Sequence, residues 1–212
     1  MFLRARHLLL GLFLLVPGGF AASQEAEEPP LVAWQELLDH PGSYLGKTVR
    51  LRAQFYSRVE SWNAFLTRFG TREFSAFQLW SDEQFPWIQA EYEQPRVRLF
   101  ARRGQPGEWA LAGAHAYTRL ELRIRVRELF LDLPWAEIES ATPTVEEISE
   151  GTNIHAARGI ELAGQGNLAM ARTEFEHALE GLLPAHARTE LERLRDACPA
   201  PPAAPAPKSG RK

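Results

Sequence analysis

The chain has one cysteine among its 212 residues, Cys198, so no internal disulfide can form. It also lacks the short motifs of common catalytic centres: the G-x-S-x-G nucleophile turn, the H-E-x-x-H zinc motif, the glycine-rich phosphate loop and paired zinc cysteines. None of the six histidines lies three or four residues from another. The sequence therefore predicts no enzyme, no cofactor and no metal site, unless histidines from distant segments come together.

A strong charge imbalance is missing as well. The formal net charge is -3, and 45% of the residues are hydrophobic, which is enough to bury a folded core. Residues 31–140 carry 14 basic and 14 acidic residues, so this part is neutral. The charge balance does not favour nucleic acid as a partner.

The first 23 residues have the pattern of a secretory signal peptide. Arg4 and Arg6 precede a short apolar run at 8–16, and the small residues of 21–23 offer a cleavage site. The run is shorter than the roughly 20 residues that a spanning helix needs. We expect export to a secreted or periplasmic location, with residues 24–30 as a linker and no transmembrane segment in the mature chain.

Two segments alternate cleanly between apolar and polar residues, which predicts strands with one buried face. In residues 47–55, Val49 and Leu51 are expected to point inward; in residues 119–127, Ile124 and Val126 do the same. A short helix is predicted at 31–40, before the first of these strands.

The region between them is rich in aromatic residues, which favour strands. We expect a hairpin between strands at 64–69 and 72–80, a further strand around Val97 and Leu99, and an end to the sheet at Pro134-Trp135. About five short strands in 110 residues predict a small closed sheet, since closure removes exposed edges.

The stretch Leu38–Phe55 contains the pattern P-x-x-Y-x-G-K-x-V before the first strand, and it resembles the opening of bacterial OB-fold domains. The resemblance covers about residues 31–135. It implies a five-stranded barrel, whereas alternation alone also allows a sandwich. We therefore predict an OB-like antiparallel β-barrel domain at 31–140.

Residues 141–198 change to helical composition, with ten acidic and five basic residues. A capping-box pattern at Thr144 and Glu147 predicts a helix start there. About residues 152–184 resemble one tetratricopeptide repeat, carried by Gly159, Leu162, Gly166, Ala171, Phe175 and Ala178. A third helix at 185–197 is expected to cap this hairpin. The predicted fold class is α+β.

The chain ends in a Pro/Ala-rich run at 199–212, which is expected to be a disordered tail. Cys198 stands where the tail begins. It is either a chance free thiol or half of an interchain disulfide.

One constellation of polar residues is a candidate ligand-binding face on the barrel. It consists of outward positions on three predicted strands: Arg50, Arg52, Trp80, Arg123, Arg125 and Arg127. Arginine forks beside an aromatic ring suit anionic or planar ligands. The alternative is an ordinary solvated strand surface.

We therefore expect a non-enzymatic secreted or periplasmic binding or scaffold protein that acts on another envelope or secreted protein. The second hypothesis is an OB-fold binder of an anionic small molecule, oligosaccharide or oligonucleotide, which would use the arginine-rich face.

Overall fold

The computed structural model describes residues 28–199, where five strands close into a barrel and helices follow. The predicted signal peptide, most of the linker, and the tail from residue 200 lie outside the described residues. The strands are β1 Thr48–Val59, β2 Phe74–Ser81, β3 Val97–Arg102, β4 Arg119–Phe130 and β5 Leu133–Pro143. The helices are α1 Trp34–Asp39, α2 Pro41–Tyr44, α3 Gln89–Tyr92, α4 Pro106–Ala112, α5 Glu150–Gly164, α6 Leu168–Ala178 and α7 Ala185–Asp196. This confirms the predicted α+β class.

The strands follow one another around the barrel in the order β1-β2-β3-β5-β4. Four of the five neighbouring pairs are antiparallel, whereas β3 and β5 are parallel. The expectation of an antiparallel barrel is therefore wrong in this detail. A closed ring with an odd number of strands cannot alternate direction throughout, so at least one pair must be parallel.

Strand β1 fixes the interior of the barrel through its register with β4. Val49 lies opposite Ile124, and Leu51 lies opposite Leu122. All four side chains are buried in one core, as the alternation predicted. Trp34 and Leu37 of α1 join the same core, which explains the apolar spacing of that short helix.

The predicted strand at 64–69 is wrong, because no strand forms between residues 60 and 73. Instead, β1 continues to Val59 and pairs directly with β2. Phe65 is fully exposed, whereas Phe69 is buried and its carbonyl accepts a hydrogen bond from Trp62 Nε1 at 2.8 Å. The aromatic residues here anchor a loop rather than a strand.

The predicted end of the sheet at Pro134-Trp135 is also wrong, because both residues lie within β5, which begins at Leu133. Strand β4 continues to Phe130, with a register shift against β5 between Val126 and Glu128, and a hairpin turn at Leu131 and Asp132 connects the two strands. Leu131 and Asp132 both have positive φ, at 51° and 60°. This is the backbone conformation of a type I′ hairpin turn, whose twist matches that of the flanking strands.

Helices α5 and α6 form an antiparallel pair, and α7 packs on α6. A side chain at Gly159 would place its Cβ 2.6 Å from the ring of Phe175, so only glycine allows this close approach. Phe175, Ala171, Ala178 and Leu191 are buried at the centre of the group. The helix start predicted at Thr144 is wrong: α5 begins at Glu150, and the side chain of Ser149 caps it by accepting a hydrogen bond from the N–H of Thr152.

The barrel and the helices are joined by buried contacts. Gln54 of β1 hydrogen-bonds the backbone of Ile148, and the almost fully buried Arg119 of β4 contacts Glu146 at 3.6 Å; both partners lie in the segment that leads into α5. Trp87, from the segment between β2 and β3, packs into the core of the helices. The joint is therefore made of specific polar and aromatic contacts rather than a free linker.

Candidate functional site

The predicted arginine face does form on the outer side of β1 and β4, but its charges are paired. Arg50 and Arg52 both donate to the carboxylate of Glu121, each at 3.0 Å. Arg50 also contacts Glu28 at 2.6 Å. The outward alternation places arginine and glutamate side by side across the strands, so much of the positive charge is compensated.

The same pattern continues toward β5. Arg123 donates to Glu139 at 3.0 Å, and Arg127 donates to Glu137 at 2.8 Å. Within the part of the chain that the structure describes, Arg125 makes no ion pair. An incoming anion would compete with these carboxylates; among the five arginines of this face, Arg125 alone has no carboxylate partner within residues 28–199.

Trp80 does not join the arginines as an exposed ring, so the expectation that it offers an outward aromatic surface is wrong. It points away from the barrel interior, but only 1% of the residue is exposed. Tyr56 packs against its ring, Tyr117 stacks on it with centroids 5.4 Å apart, and Tyr92 covers it further. Alternation located its face correctly but could not reveal that later segments cover it.

The outer surface of β2 and β3 is also filled by the protein's own rings. Phe69, from the loop after β1, stacks on Phe100 with centroids 4.3 Å apart and planes 4° apart. Trp62 and Trp135 pack against Phe100 from other directions. A flat ligand that needs exposed rings for stacking finds this part of the surface occupied.

A different site lies where the barrel meets the helices, and we call it the junction cleft. It is an open cleft of about 350 Å³. Its lining residues are Pro86, Trp87, Gln89, Tyr92, Tyr117, Glu150, Asn153, Ile154 and Ala157. The lining combines aromatic and aliphatic side chains with the polar Gln89, Glu150 and Asn153, a mixture typical of a recognition site.

The two walls of the junction cleft come from distant parts of the sequence. One wall is the segment around α3, which packs against the helices through Trp87; the other is the exposed side of α5 with Ile154 and Ala157. Ile154 is 57% exposed although it is a large aliphatic residue. The sequence analysis did not predict this cleft. The apolar residues Ile154 and Ala157, which lie outside the buried face of α5, could have indicated it.

Tyr117 connects the cleft to the aromatic group below it. It is one of few non-glycine residues with positive φ, at 74°, a backbone conformation that packing must hold in place. Burial, followed by the hydrogen bond with Tyr92, raises the pKa of Tyr117 to about 12. Its hydroxyl therefore stays protonated at neutral pH.

Among residues 28–199, no group of three or more His, Cys, Asp or Glu side chains is arranged to hold a metal ion. In the same range, no helix combines the length and apolarity needed to cross a membrane.

Comparisons with known proteins add little to this description. No protein-family model matches the chain, and no curated protein matches it. Among solved structures, the chain is similar to the crystal structure of a putative aspartyl-tRNA synthetase from Leishmania major Friedlin, with 8% identity and a TM-score of 0.38. The match covers 75% of this chain but only 33% of that protein. A similarity at this level supports no argument about fold or activity.

Proposed function

We propose that this protein is a non-enzymatic binding or scaffold protein of the extracytoplasmic space, and that it binds another envelope or secreted protein at the junction cleft. The observation that carries the proposal is the exposed apolar surface of Ile154, held beside Trp87 and Tyr92. Aromatic residues are enriched in the fully buried cores of protein interfaces, where they contribute most of the binding energy.

The construction of the joint supports this proposal. Gln54 fixes the barrel to the segment that leads into α5 through buried hydrogen bonds with Ile148, and Arg119 adds an ion pair with Glu146 of the same segment. Because both walls of the cleft are held in place before binding, a partner does not have to order them, and less conformational entropy is lost on association.

Charge defines the chemistry of the partner. Residues 141–198 carry ten acidic and five basic residues, and Glu150 lines the cleft. A complementary surface has an apolar centre and basic residues around it. We therefore propose a protein partner that presents such a patch.

Two finer assignments belong to the same proposal. The strand order β1-β2-β3-β5-β4, with a helix between β3 and β4, supports an OB-like barrel. The close contact of Gly159 with Phe175 supports a tetratricopeptide-like hairpin in α5 and α6. Export rests on the signal-like sequence of residues 1–23.

The proposal can be tested by placing a photo-crosslinking amino acid at position 154 and isolating adducts from the extracytoplasmic fraction. A specific adduct is expected. In a separate pull-down without the crosslinker, Ile154→Glu should abolish co-purification of the partner that the adduct identifies. Leu131→Glu is the matched control, because Leu131 is also an exposed aliphatic residue but lies on the hairpin between β4 and β5. If Ile154→Glu and Leu131→Glu co-purify the partner in equal amounts, the proposal is contradicted.

The alternative function, binding of an anionic ligand on the arginine-rich face, has less support because most of these arginines contact carboxylates. The double variant Arg52→Ala with Arg125→Ala tests it. If this face binds anions, the variant should lose affinity for a polyanion such as heparin without unfolding, and added salt should weaken the parent in the same way.

A further inference from the structure

Two histidines that are distant in sequence come together on the helical hairpin. His155 lies on α5 and His177 lies on α6, and their ring centroids are 5.3 Å apart. The antiparallel packing of the two helices brings these positions to the same side of the seam. This is the long-range arrangement that spacing in the sequence could not reveal.

Each ring is oriented by a carboxylate on its Nδ1 atom. His155 Nδ1 lies 2.8 Å from Glu174 Oε2, and His177 Nδ1 lies 3.1 Å from Glu180 Oε1. An ionised carboxylate only accepts hydrogen bonds, so each neutral imidazole must carry its proton on Nδ1. The Nε2 atom of each ring then has a free lone pair.

The charge around the pair favours a cation. Glu174 and Glu180 contribute two negative charges, and Arg158, which lies 3.4 Å from Glu174, contributes one positive charge.

We propose that His155 and His177 form a two-histidine site for Zn²⁺ and similar transition-metal ions, which bridges α5 and α6. Zinc binds imidazole nitrogen at about 2.0–2.1 Å, so two imidazoles on one tetrahedral ion have centroids about 5 Å apart. The observed centroid separation of 5.3 Å is close to this value, so we infer that the two exposed side chains can turn both Nε2 atoms toward one ion. Imidazole is also a ligand that suits zinc, copper and nickel, whereas calcium and magnesium require oxygen ligands.

The flanking carboxylates fit the same assignment. Histidine ligands of metal ions typically donate their second ring N–H to a carboxylate, which fixes the tautomer and raises the basicity of the ligating nitrogen. Both rings here have that partner. Both side chains are accessible, at 42% and 49% exposure, so an ion can reach them and water can complete its coordination.

The site can be tested on the full chain without a histidine tag, after treatment with a chelator. Excess Zn²⁺ should raise the thermal unfolding temperature, because an ion that binds only the folded hairpin stabilises it. His155→Ala and His177→Ala should each remove this shift, while Mg²⁺ and Ca²⁺ should have no effect on the parent. His115→Ala is the control, since His115 is an exposed histidine elsewhere in the protein.

Isothermal titration gives a second readout that does not depend on stability. Glu174→Gln is expected to weaken zinc binding by about 10-fold to 100-fold, the usual effect of losing such a carboxylate. Nuclear magnetic resonance should show broadening of the imidazole signals of His155 and His177 when Cu²⁺ is added. The proposal is overturned if Zn²⁺ leaves the parent unchanged, or if the two alanine variants bind it as the parent does.

Discussion

The side-chain amide of Gln54 forms two hydrogen bonds with the backbone of Ile148. Its Nε2 donates to the Ile148 carbonyl at 2.8 Å, and its Oε1 accepts from the Ile148 N–H at 3.0 Å. Gln54 is on β1, and Ile148 belongs to the segment that leads into α5, so the pair joins the barrel to the helices. The amide pairs with the backbone as a neighbouring strand would, and it provides hydrogen-bond partners for the buried N–H and C=O groups of Ile148.

Gln54→Leu should therefore destabilise the protein markedly. The N–H and C=O groups of Ile148 would both lose their partner, at a cost of about 1–3 kcal/mol for each group that stays buried. Urea unfolding measures the change. Gln78→Leu is the matched control, because Gln78 is half-buried on β2 and its side chain makes no hydrogen bond within residues 28–199; a change within about 0.5 kcal/mol is expected there. Equal losses would contradict the role of the Gln54 pair.

Two glycines of the same helix should respond in opposite directions to alanine. At Gly159 the new Cβ would meet the ring of Phe175 at 2.6 Å, so Gly159→Ala should destabilise the helices by about 1–3 kcal/mol. At Gly164 nothing lies within 4 Å of the new atom, and alanine should stabilise by about 0.5–1 kcal/mol. Thermal unfolding followed by circular dichroism at 222 nm distinguishes the two variants. If Gly159→Ala instead stabilises the protein, α5 and α6 can move apart at little cost in free energy.

The strands that alternate cleanly could be predicted from the sequence because each has one buried face and one solvated face. This is why the inward positions of β1 and β4, such as Leu51 and Ile124, are confirmed. The prediction of an exposed Trp80 was wrong because alternation shows only which face of the strand a residue lies on. It does not show whether a later segment covers that face. The prediction of a strand at 64–69 was wrong because a loop anchored by aromatic residues such as Phe69 has the same amino-acid composition as a strand.

The candidate sites depend on tertiary packing and were not predictable by local pattern. The junction cleft combines Trp87 with Ile154, which are 67 residues apart in the numbering of the chain. The histidine pair joins two helices that approach each other closely at Gly159 and Phe175. The arginines were placed on the correct surface, but Glu139 and Glu137, the partners of Arg123 and Arg127, became evident only once β5 was located.

The barrel core and its arginine face should differ sharply in their response to alanine. Leu51 is buried inside the barrel, so Leu51→Ala should cost about 2–5 kcal/mol in the free energy of unfolding. Arg52 is the next residue, but its pair with Glu121 is exposed at the surface, so Arg52→Ala should cost less than about 1 kcal/mol. Denaturant unfolding of both variants measures the difference; a large loss for Arg52→Ala would mean that the ion pairs are structural.

The last prediction concerns the dependence of stability on pH. Glu108, in the first turn of α4, accepts a hydrogen bond from the N–H of Gly104 at 3.0 Å and one from the hydroxyl of Ser75 at 2.7 Å. The Gly104 contact first, and then the Ser75 contact, hold the pKa of Glu108 below its ordinary value of 4.5. A depressed pKa means that the folded state binds the proton less tightly than the unfolded chain does, so protonation favours unfolding.

The stabilisation from the Glu108 carboxylate should therefore be fully present above about pH 4.5, the ordinary value, and be lost as the pH falls through the lower pKa of the folded state. Glu108→Gln cannot ionise, so the parent should be more stable than this variant at neutral pH, and the difference should shrink in acid. Urea unfolding from neutral pH down to acid measures both proteins. Glu60→Gln is the control, because Glu60 is exposed and follows the end of β1. A difference between parent and Glu108→Gln that stays constant or grows in acid would show that the ionised carboxylate does not stabilise the fold.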